Sequence, residues 1–436
     1  MTSTPSTDTA AGGSGARQAL RTDQVSALLA DLALPITGTE MLGLGDALDR
    51  VLADDVVSPI SVPPHDNAAM DGFAFDGAQL QAGYTLDLRI VGVALAGKAW
   101  NGRVGAGQCI RIMTGAVMPA GADTVVPVEQ AVVDSAQVQV PPDAVGPGSH
   151  RRRAGEDLAA GQPALRRGQR LGPAALGLLA SLGLPQVRVH RRLKVACLSP
   201  GDELLNPGDA LREGAIYDSN RYSLCGLLRR LGVEVLDMGV VPDEPTRLEA
   251  AFRQAAREAD AIVTSGGVSM GDADHTRALM ARLGDVAFWR IAMRPGRPFA
   301  AGRIFADADS GPTSRERGPD ALLFGLPGNP VAAMVTFLVF VRPALQVMMG
   351  ATPTPPVLLQ ARCTEPLRKK PGRTEYQRGI VTRDTGGQLC VHTTGYQGSG
   401  VLRSMVEANA LIVLPHDQGD VAAGDAVDVM MFSGVI

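Results

Sequence analysis

The chain has 436 residues, 45% of them hydrophobic and 20% charged, and a formal net charge of -4. That length gives room for roughly three domains with a core each, and the charge balance excludes a basic surface that wraps nucleic acid. Five cysteines without C-x-x-C spacing and six histidines without an H-x-x-x-H pair indicate neither a zinc site nor a disulfide framework, and they fit a reducing cytoplasm.

In chain order, Met1 to Gln18 is rich in Ser, Thr, Ala and Gly and lacks the basic start and apolar stretch of a secretory signal, so it reads as a disordered tail. Apolar residues at helical spacing predict helices over Val25 to Leu32, Leu42 to Leu52 and Pro173 to Leu182, whereas Tyr84 to Val140 is rich in Gly and short β-like runs. Residues 19–60 and 156–190 therefore read as a helical linker domain, with a β-rich domain, residues 61–155, inserted in it.

From Lys194 to Gly350 strand-like and helix-like runs alternate, as in a doubly wound sheet of parallel strands. Strands are expected at Lys194 to Ser199, Val233 to Met238, Ala261 to Thr264, Val286 to Met293 and Leu322 to Leu326. Helices are expected at Ser219 to Leu231, Pro245 to Glu258 and His275 to Leu283, the first with Asp218, Ser219 and Asn220 as capping candidates. Asp307 to Asp320 has no period and reads as a mobile loop. Pro330 opens an apolar helix whose longest run, Val331 to Val341, ends at Arg342 and Pro343, too short for a bilayer, so no membrane segment is expected. Beyond the Pro-rich linker Thr352 to Pro356, short runs between turn signals predict a small β-barrel. The fold class is thus multidomain α/β plus β: a central doubly wound α/β domain (191–350), a β-rich N-terminal insertion and a C-terminal β-barrel (352–436).

In open α/β sheets ligands sit beyond the C-terminal ends of the strands, and the loops there are polar: Ser199 to Glu203, Asp243-Glu244, Ser265 to Asp274, Arg294 to Pro298, and Pro327 to Pro330. Ser265-Gly266-Gly267 before a helix is suited to aim backbone N–H groups at an anion, or is a plain tight turn. Asp272 and Asp274 follow it and suit either a magnesium-bridged phosphate or a helix cap, while Glu203 and Asp243 are either site groups or solvated loop carboxylates. Arg294 and Arg297 fit a phosphate, a carboxylate or a tetrahedral oxyanion, and the residue types do not choose among these. Two further stretches, Pro63 to Ala74 with Arg111 to Ala116 and Arg152 to Asp157, read either as turns and solvated charge or as parts of a site.

Taken together, Asp66 to Gly72, Arg111 to Gly115, Arg153 to Asp157, Pro200 to Leu204, Ser265 to Ser269, Gly325 to Val331 and Thr393 to Ser399 resemble, in order, the motifs of the MoeA family, which includes the E domain of gephyrin. The resemblance runs from about Leu20 to the C-terminus. It implies a homodimer whose α/β domain binds molybdopterin, and an activity: adenylylated molybdopterin and molybdate are taken, Mg2+ assists cleavage of the adenylyl link, and AMP leaves with the finished cofactor. It also implies contacts with the molybdopterin adenylyltransferase and with downstream cofactor-handling proteins.

By motif position, the resemblance gives Glu203, Asp243 and Asp274 as acidic and metal-binding residues and Arg290, Arg294 and Arg297 as basic ones. Ser265, Gly266, Gly267, Ser269, Pro327 and Pro330 fall at cofactor-binding positions, and Asp71, Thr114 and Asp157 complete the site from the other subunit. Pro200 stands where the family often has Thr, and Arg294 and Arg297 where it often has Lys. Two alternatives within this fold are a non-catalytic molybdopterin-binding scaffold and a tungstate-inserting relative. A third, a CinA-type enzyme, is not expected to carry Met70-Asp71-Gly72 or Gly155-Glu156-Asp157.

Overall fold

The computed structural model describes residues 19–268, 275–307, 320–434 and 436. The predicted tail, Ser269, Asp272, Asp274 and most of the loop expected after Asp307 lie outside them. The chain divides into two units, one formed by Glu40–Val189 and the other by the chain on either side of it.

The first helix, α1 (Thr22–Leu32), falls in the second of these units. Val25 and Leu29, one turn apart, are buried in the same core as Leu193 and Val195 of the α/β part, so burial of one helical face decides where the segment docks.

Within Glu40–Val189, the residues 72–140 form a six-stranded sheet of β1 (Gly72–Phe75), β2 (Leu86–Ala94), β3 (Gln108–Ile112), β4 (Thr124–Pro127), β5 (Val132–Asp134) and β6 (Gln137–Val140), in the order β4-β1-β3-β2-β6-β5. Leu42 to Leu52 is not the expected α-helix. It holds the end of a strand at Thr39–Gly43, a single 3-10 turn at Leu44–Asp46 and a further turn at Leu48-Asp49, where Asp49 has φ +62. Gly43 and Gly45 remove helix propensity, and Leu52 is instead buried among Leu165, Leu171 and Val189, across a non-local packing that no local period records. The remaining helix of this unit is α2 (Pro173–Ser181), with Pro at its start where the missing N–H is harmless.

In the other unit the α/β sheet is built from β7 (Lys194–Pro200), β8 (Glu234–Val241), β9 (Ala261–Ser265), β10 (Gly284–Arg290), β12 (Pro298–Phe305) and β13 (Asp320–Leu326), in the order β8-β7-β9-β13-β12-β10; the two-residue β11 (Met293–Arg294) lies apart from it. Helices α3 (Asn220–Leu231), α4 (Pro245–Glu258) and α5 (His275–Leu283) cover it. The sheet is mixed, which corrects the all-parallel expectation: β12 runs antiparallel to both its neighbours. Because β10 is antiparallel to β12 and β12 to β13, β10 still points the same way as the parallel strands. The C-terminal ends of β7, β8, β9, β10 and β13 thus share one edge.

The apolar helix α6 (Pro330–Met348) runs on through Pro343. Its middle, Phe337–Val341, is a π-type turn just before Pro343, whose ring nitrogen has no hydrogen to donate to the turn behind it. By length and composition α6 is long and apolar enough to cross a membrane, but 72% of its most apolar window is buried within the protein.

The C-terminal strands β14 (Leu359–Cys363), β15 (Thr374–Arg383), β16 (Leu389–Thr393), β17 (Ala410–Leu414) and β18 (Ala426–Met431) close into a barrel, since β15 pairs with both β16 and β17. Strand β11 pairs in parallel with the start of β15, Met293 with Thr374 and Arg294 with Glu375. Backbone hydrogen bonding therefore joins the barrel to the loop that carries the predicted arginines.

Candidate functional site

A cavity of about 770 Å³ opens where the shared strand edge meets the barrel. The loop after β7 gives it Glu203, the loop after β9 gives Gly266, Gly267 and Val268, and the segment from β10 to β12 gives Arg294, Gly296 and Arg297. Pro327, Gly328 and Asn329 enter from the end of β13, and Arg373 with Tyr396, Gln397, Gly398 and Ser399 from the barrel.

Local chemistry fixes these loops. Gly267 has φ +68, and an added Cβ would stand 2.6 Å from the Thr276 methyl, so only glycine lets the turn after β9 close against α5. Gly201 has φ +147, and the Glu203 carboxylate folds back over it, 2.5 Å from where a Cβ would be. Asn220, at the start of α3, donates from Nδ2 to Ser265 Oγ at 2.7 Å and to the Gly328 carbonyl at 2.6 Å, tying two of the loops together. It acts as a bridge between loops, while the capping of α3 falls to Asp218, whose Oδ1 accepts from the Arg221 N–H at 3.1 Å.

Arg221 is 6% exposed and also reaches Asp237 at 2.7 Å and Asn206 at 3.0 Å, holding the chain just beyond Glu203. Burial works against its charge, but Asp237 and Asp218 outweigh that and push its pKa upward. From the barrel, the Ser399 carbonyl accepts from the Val331 N–H at 3.0 Å, satisfying one of the free donors at the start of α6.

Of the residues singled out in the sequence, Glu203, Gly266, Gly267, Arg294, Arg297 and Pro327 line this cavity. Ser265 does not: it is 4% exposed, and its hydroxyl accepts from Asn220 and donates to the Pro327 carbonyl at 3.3 Å, beneath the loops. Arg290 closes β10 opposite Pro298 and is not in the lining, nor are Pro330 and Asp243. Asp243 follows β8 on a loop tied to that of Glu203: its N–H donates to Asp202 Oδ1 at 3.1 Å, and the Gly201 N–H donates to the Val241 carbonyl at 3.1 Å. Ser269 and Asp274 lie outside the described residues. Among the described residues no three His, Cys, Asp or Glu side chains cluster as a ready metal site.

In Glu40–Val189 the other motifs meet as a knot of turns. The Asp71 Oδ1 accepts from both the Thr114 N–H (2.7 Å) and hydroxyl (2.6 Å), and these donors, the hydroxyl first, hold its carboxyl below the usual value of 3.8. Asp66 accepts from the Ala154 N–H at 2.8 Å, and Glu156 from the Arg153 N–H at 2.8 Å. The Asp157 N–H donates to the Val62 carbonyl at 3.1 Å, and its side chain is exposed. Asp71, Thr114 and Asp157 are thus solvent-facing residues on one set of interlocked loops.

Sequence reasoning named no barrel residue for the site, and Arg373 was missed. The available signal is period two: Arg373, Glu375 and Gln377 alternate into the start of a long strand, a polar row of which Glu375 and Gln377 are buried and Arg373 reaches the cavity. Thr393 to Ser399 carried the resemblance, yet nothing local revealed that Gln397, Gly398 and Ser399 form a wall.

The comparisons agree along the chain. Three family models match: the MoeA N-terminal region (domain I and II) over residues 19–183, a probable molybdopterin binding domain over 196–347, and the MoeA C-terminal region (domain IV) over 360–432. A molybdopterin molybdenumtransferase of Haemophilus influenzae is 39% identical over 412 residues, covering 94% of this chain and 98% of its own. Molybdopterin molybdenumtransferase 2 of Mycobacterium tuberculosis is 36% identical over 88% of this chain and 93% of its own. The crystal structure of a molybdopterin biosynthesis moeA protein from Pyrococcus horikoshii OT3 superposes with a TM-score of 0.79 at 27% identity, covering 95% of this chain and 100% of that one.

Proposed function

The chain belongs to the MoeA family of molybdopterin molybdenumtransferases, and on that premise we propose that its cavity takes adenylylated molybdopterin together with molybdate, and that AMP leaves as molybdenum passes to the pterin dithiolene. The observation that carries this reading is the meeting of Arg294, Arg297 and Arg373 with the Gly266-Gly267 turn around about 770 Å³ of space. Planar guanidinium forks and backbone N–H groups suit phosphate and tetrahedral oxyanions, and the volume suits a nucleotide-sized ligand.

In this reading the arginines bind and orient the oxyanions, and the glycine turn receives a phosphate oxygen without a side chain in the way. Gln397, Gly398 and Ser399 would bound the ligand from the barrel side, leaving an oxygen of water or of the oxyanion to replace the adenylyl link as AMP departs. Glu203 and Asp243, on tied loops, offer the hard oxygen donors that magnesium takes beside a substrate phosphate, with Asp274 as a third. When bound, the ion would neutralise phosphate charge and polarise the link to be cleaved. No protein nucleophile is required: ligand exchange at molybdenum belongs to the metal and the dithiolene, and the chain supplies position and field.

The protein is proposed to work as a homodimer in which Asp71, Thr114 and Asp157 of one protomer complete the crevice of its partner. A place in the cytoplasm, handling substrate from the molybdopterin adenylyltransferase and passing product to cofactor-handling proteins, fits its free, buried thiols. The test is to mix purified protein with adenylylated molybdopterin, magnesium, and molybdate or tungstate, and to follow AMP. Release that depends on the oxyanion supports the reading, and its ratio between the two oxyanions sets the preference. Tight pterin binding with no AMP under either would leave a scaffold.

A further inference from the structure

Beneath the barrel wall one carboxylate is ringed by cations. Glu375 is 1% exposed; its Oε1 accepts from Arg373 Nε at 2.8 Å and stands 2.7 Å from Arg373 Nη2 in an ion pair. Its Oε2 accepts from Gln377 Nε2 at 3.2 Å and faces Arg294 NH1 at 3.9 Å. Two of the cavity's arginines, one from the α/β part and one from the barrel, therefore lean on the same buried group.

Further positive charge stands close by. Arg378 is 1% exposed, and its guanidinium donates to neutral oxygens, Ser404 Oγ at 3.0 Å and the Gly398 carbonyl at 3.0 Å. Burial, and then Arg294, bring its pKa down to about 10. Lys369 is 3% exposed, with its pKa lowered by burial and drawn back up by Glu375. Arg294, Arg373 and Lys369 each feel Glu375, and cations gathered around one place repel one another unless an anion lies among them.

We infer that Glu375 is a positioning residue of the oxyanion site, aiming Arg294 and Arg373 into the cavity from beneath. The inference rests on the reading of the cavity as the oxyanion site. The carboxylate contacts no substrate. It holds Arg373 by one hydrogen bond and a close ion pair to a single oxygen, and keeps Arg294 from swinging away. The backbone pairing of Arg294 with Glu375 fixes the distance over which this happens. Since guanidinium recognition of an oxyanion depends on fork geometry, a loosened fork loses affinity even where net positive charge rises.

That sign makes the inference testable. Glu375→Gln keeps the shape and removes a negative charge from under the site, so a purely electrostatic role predicts tighter anion binding. Positioning predicts weaker binding, roughly ten-fold or more. Equilibrium dialysis of the whole protein against molybdate, with thermal unfolding as a control, reads the difference. Wild-type binding that is lost in Arg297→Ala and weakened in Glu375→Gln supports the inference. Binding lost in Arg297→Ala but unchanged or tighter in Glu375→Gln overturns it alone, and wild-type protein that binds no molybdate overturns the reading of the cavity with it. If Glu375→Gln does not fold, Gln377→Met removes a donor to Oε2 and keeps the charge. A few-fold weaker binding in that variant supports positioning, and unchanged binding overturns it.

Discussion

The two groups of motif residues differ in how their side chains are used. Around the cavity, Arg294 and Arg297 are exposed to the space they line, and the work of holding loops falls to neighbours such as Asn220, Arg221 and Ser399. In Glu40–Val189, Asp66 and Asp71 spend hydrogen-bonding capacity on backbone N–H groups of neighbouring turns, and Glu156 on one of its own. An open strand edge gives its loops room to face a ligand, whereas interlocked turns consume polar side chains to stay folded. A resemblance weights both groups alike, but the structure separates residues that line the cavity from residues that tie turns together.

The largest expected effect lies on the cavity side. Arg297→Ala removes a cation that faces the space and should lower oxyanion-dependent AMP release by roughly 10²- to 10³-fold, the scale of deleting one electrostatic donor, with unfolding unchanged. Near wild-type turnover would remove Arg297 from the site. The comparison breaks, in a useful way, if both groups serve one reaction across a dimer: Asp71→Ala and Arg297→Ala proteins, each nearly inactive, should recover part of the activity when mixed and allowed to exchange subunits. Exchange shown by mass without recovery would leave the turn cluster a scaffold.

A smaller effect is expected for Gly267→Ala, where φ +68 and the 2.6 Å approach to Thr276 should cost ~1–3 kcal/mol in denaturant unfolding. No loss would mean that the turn relaxes freely. The smallest effect concerns pH. Because the Thr114 donors depress the Asp71 pKa in the folded chain, the stability Asp71 contributes is fully present above its ordinary 3.8 and fades as pH falls through the lower native value. Acid unfolding of wild type and Asp71→Asn should therefore differ near neutral pH and converge in strong acid; curves that stay parallel would exclude the contribution.

Much of the α/β part was legible because its helices obey a local period: α4 and α5 fall where spacing puts them, with Pro245 at the start of α4. Strand β12 was not legible. Its sequence Pro-Phe-Ala-Ala-Gly-Arg-Ile-Phe has little alternation, and it becomes a strand because β10 and β13 leave a slot that backbone pairing fills. The loops at the strand ends could be named from topology, but which residues reach the cavity could not. Ser265 is held beneath the loops by its contact with Asn220, Arg290 is absent from the lining, and Arg373 enters through a contact between domains far apart in sequence. Such contacts are set by tertiary packing, to which composition and period are blind.

The two-residue pairing of β11 with β15 bears on how this part of the molecule comes apart. A Pro-rich linker at Thr352 to Pro356 marks the barrel as a separate module, yet hydrogen bonds at Met293 and Arg294, together with the Ser399 carbonyl on α6, make its surface part of its neighbour's interior bookkeeping. Heating should therefore melt barrel and α/β sheet as one cooperative transition in calorimetry, and an isolated fragment ending before the barrel should show frayed strand ends in hydrogen exchange around Arg294. Modularity in such a chain is a property of its covalent layout, while its cooperativity is drawn along a different line.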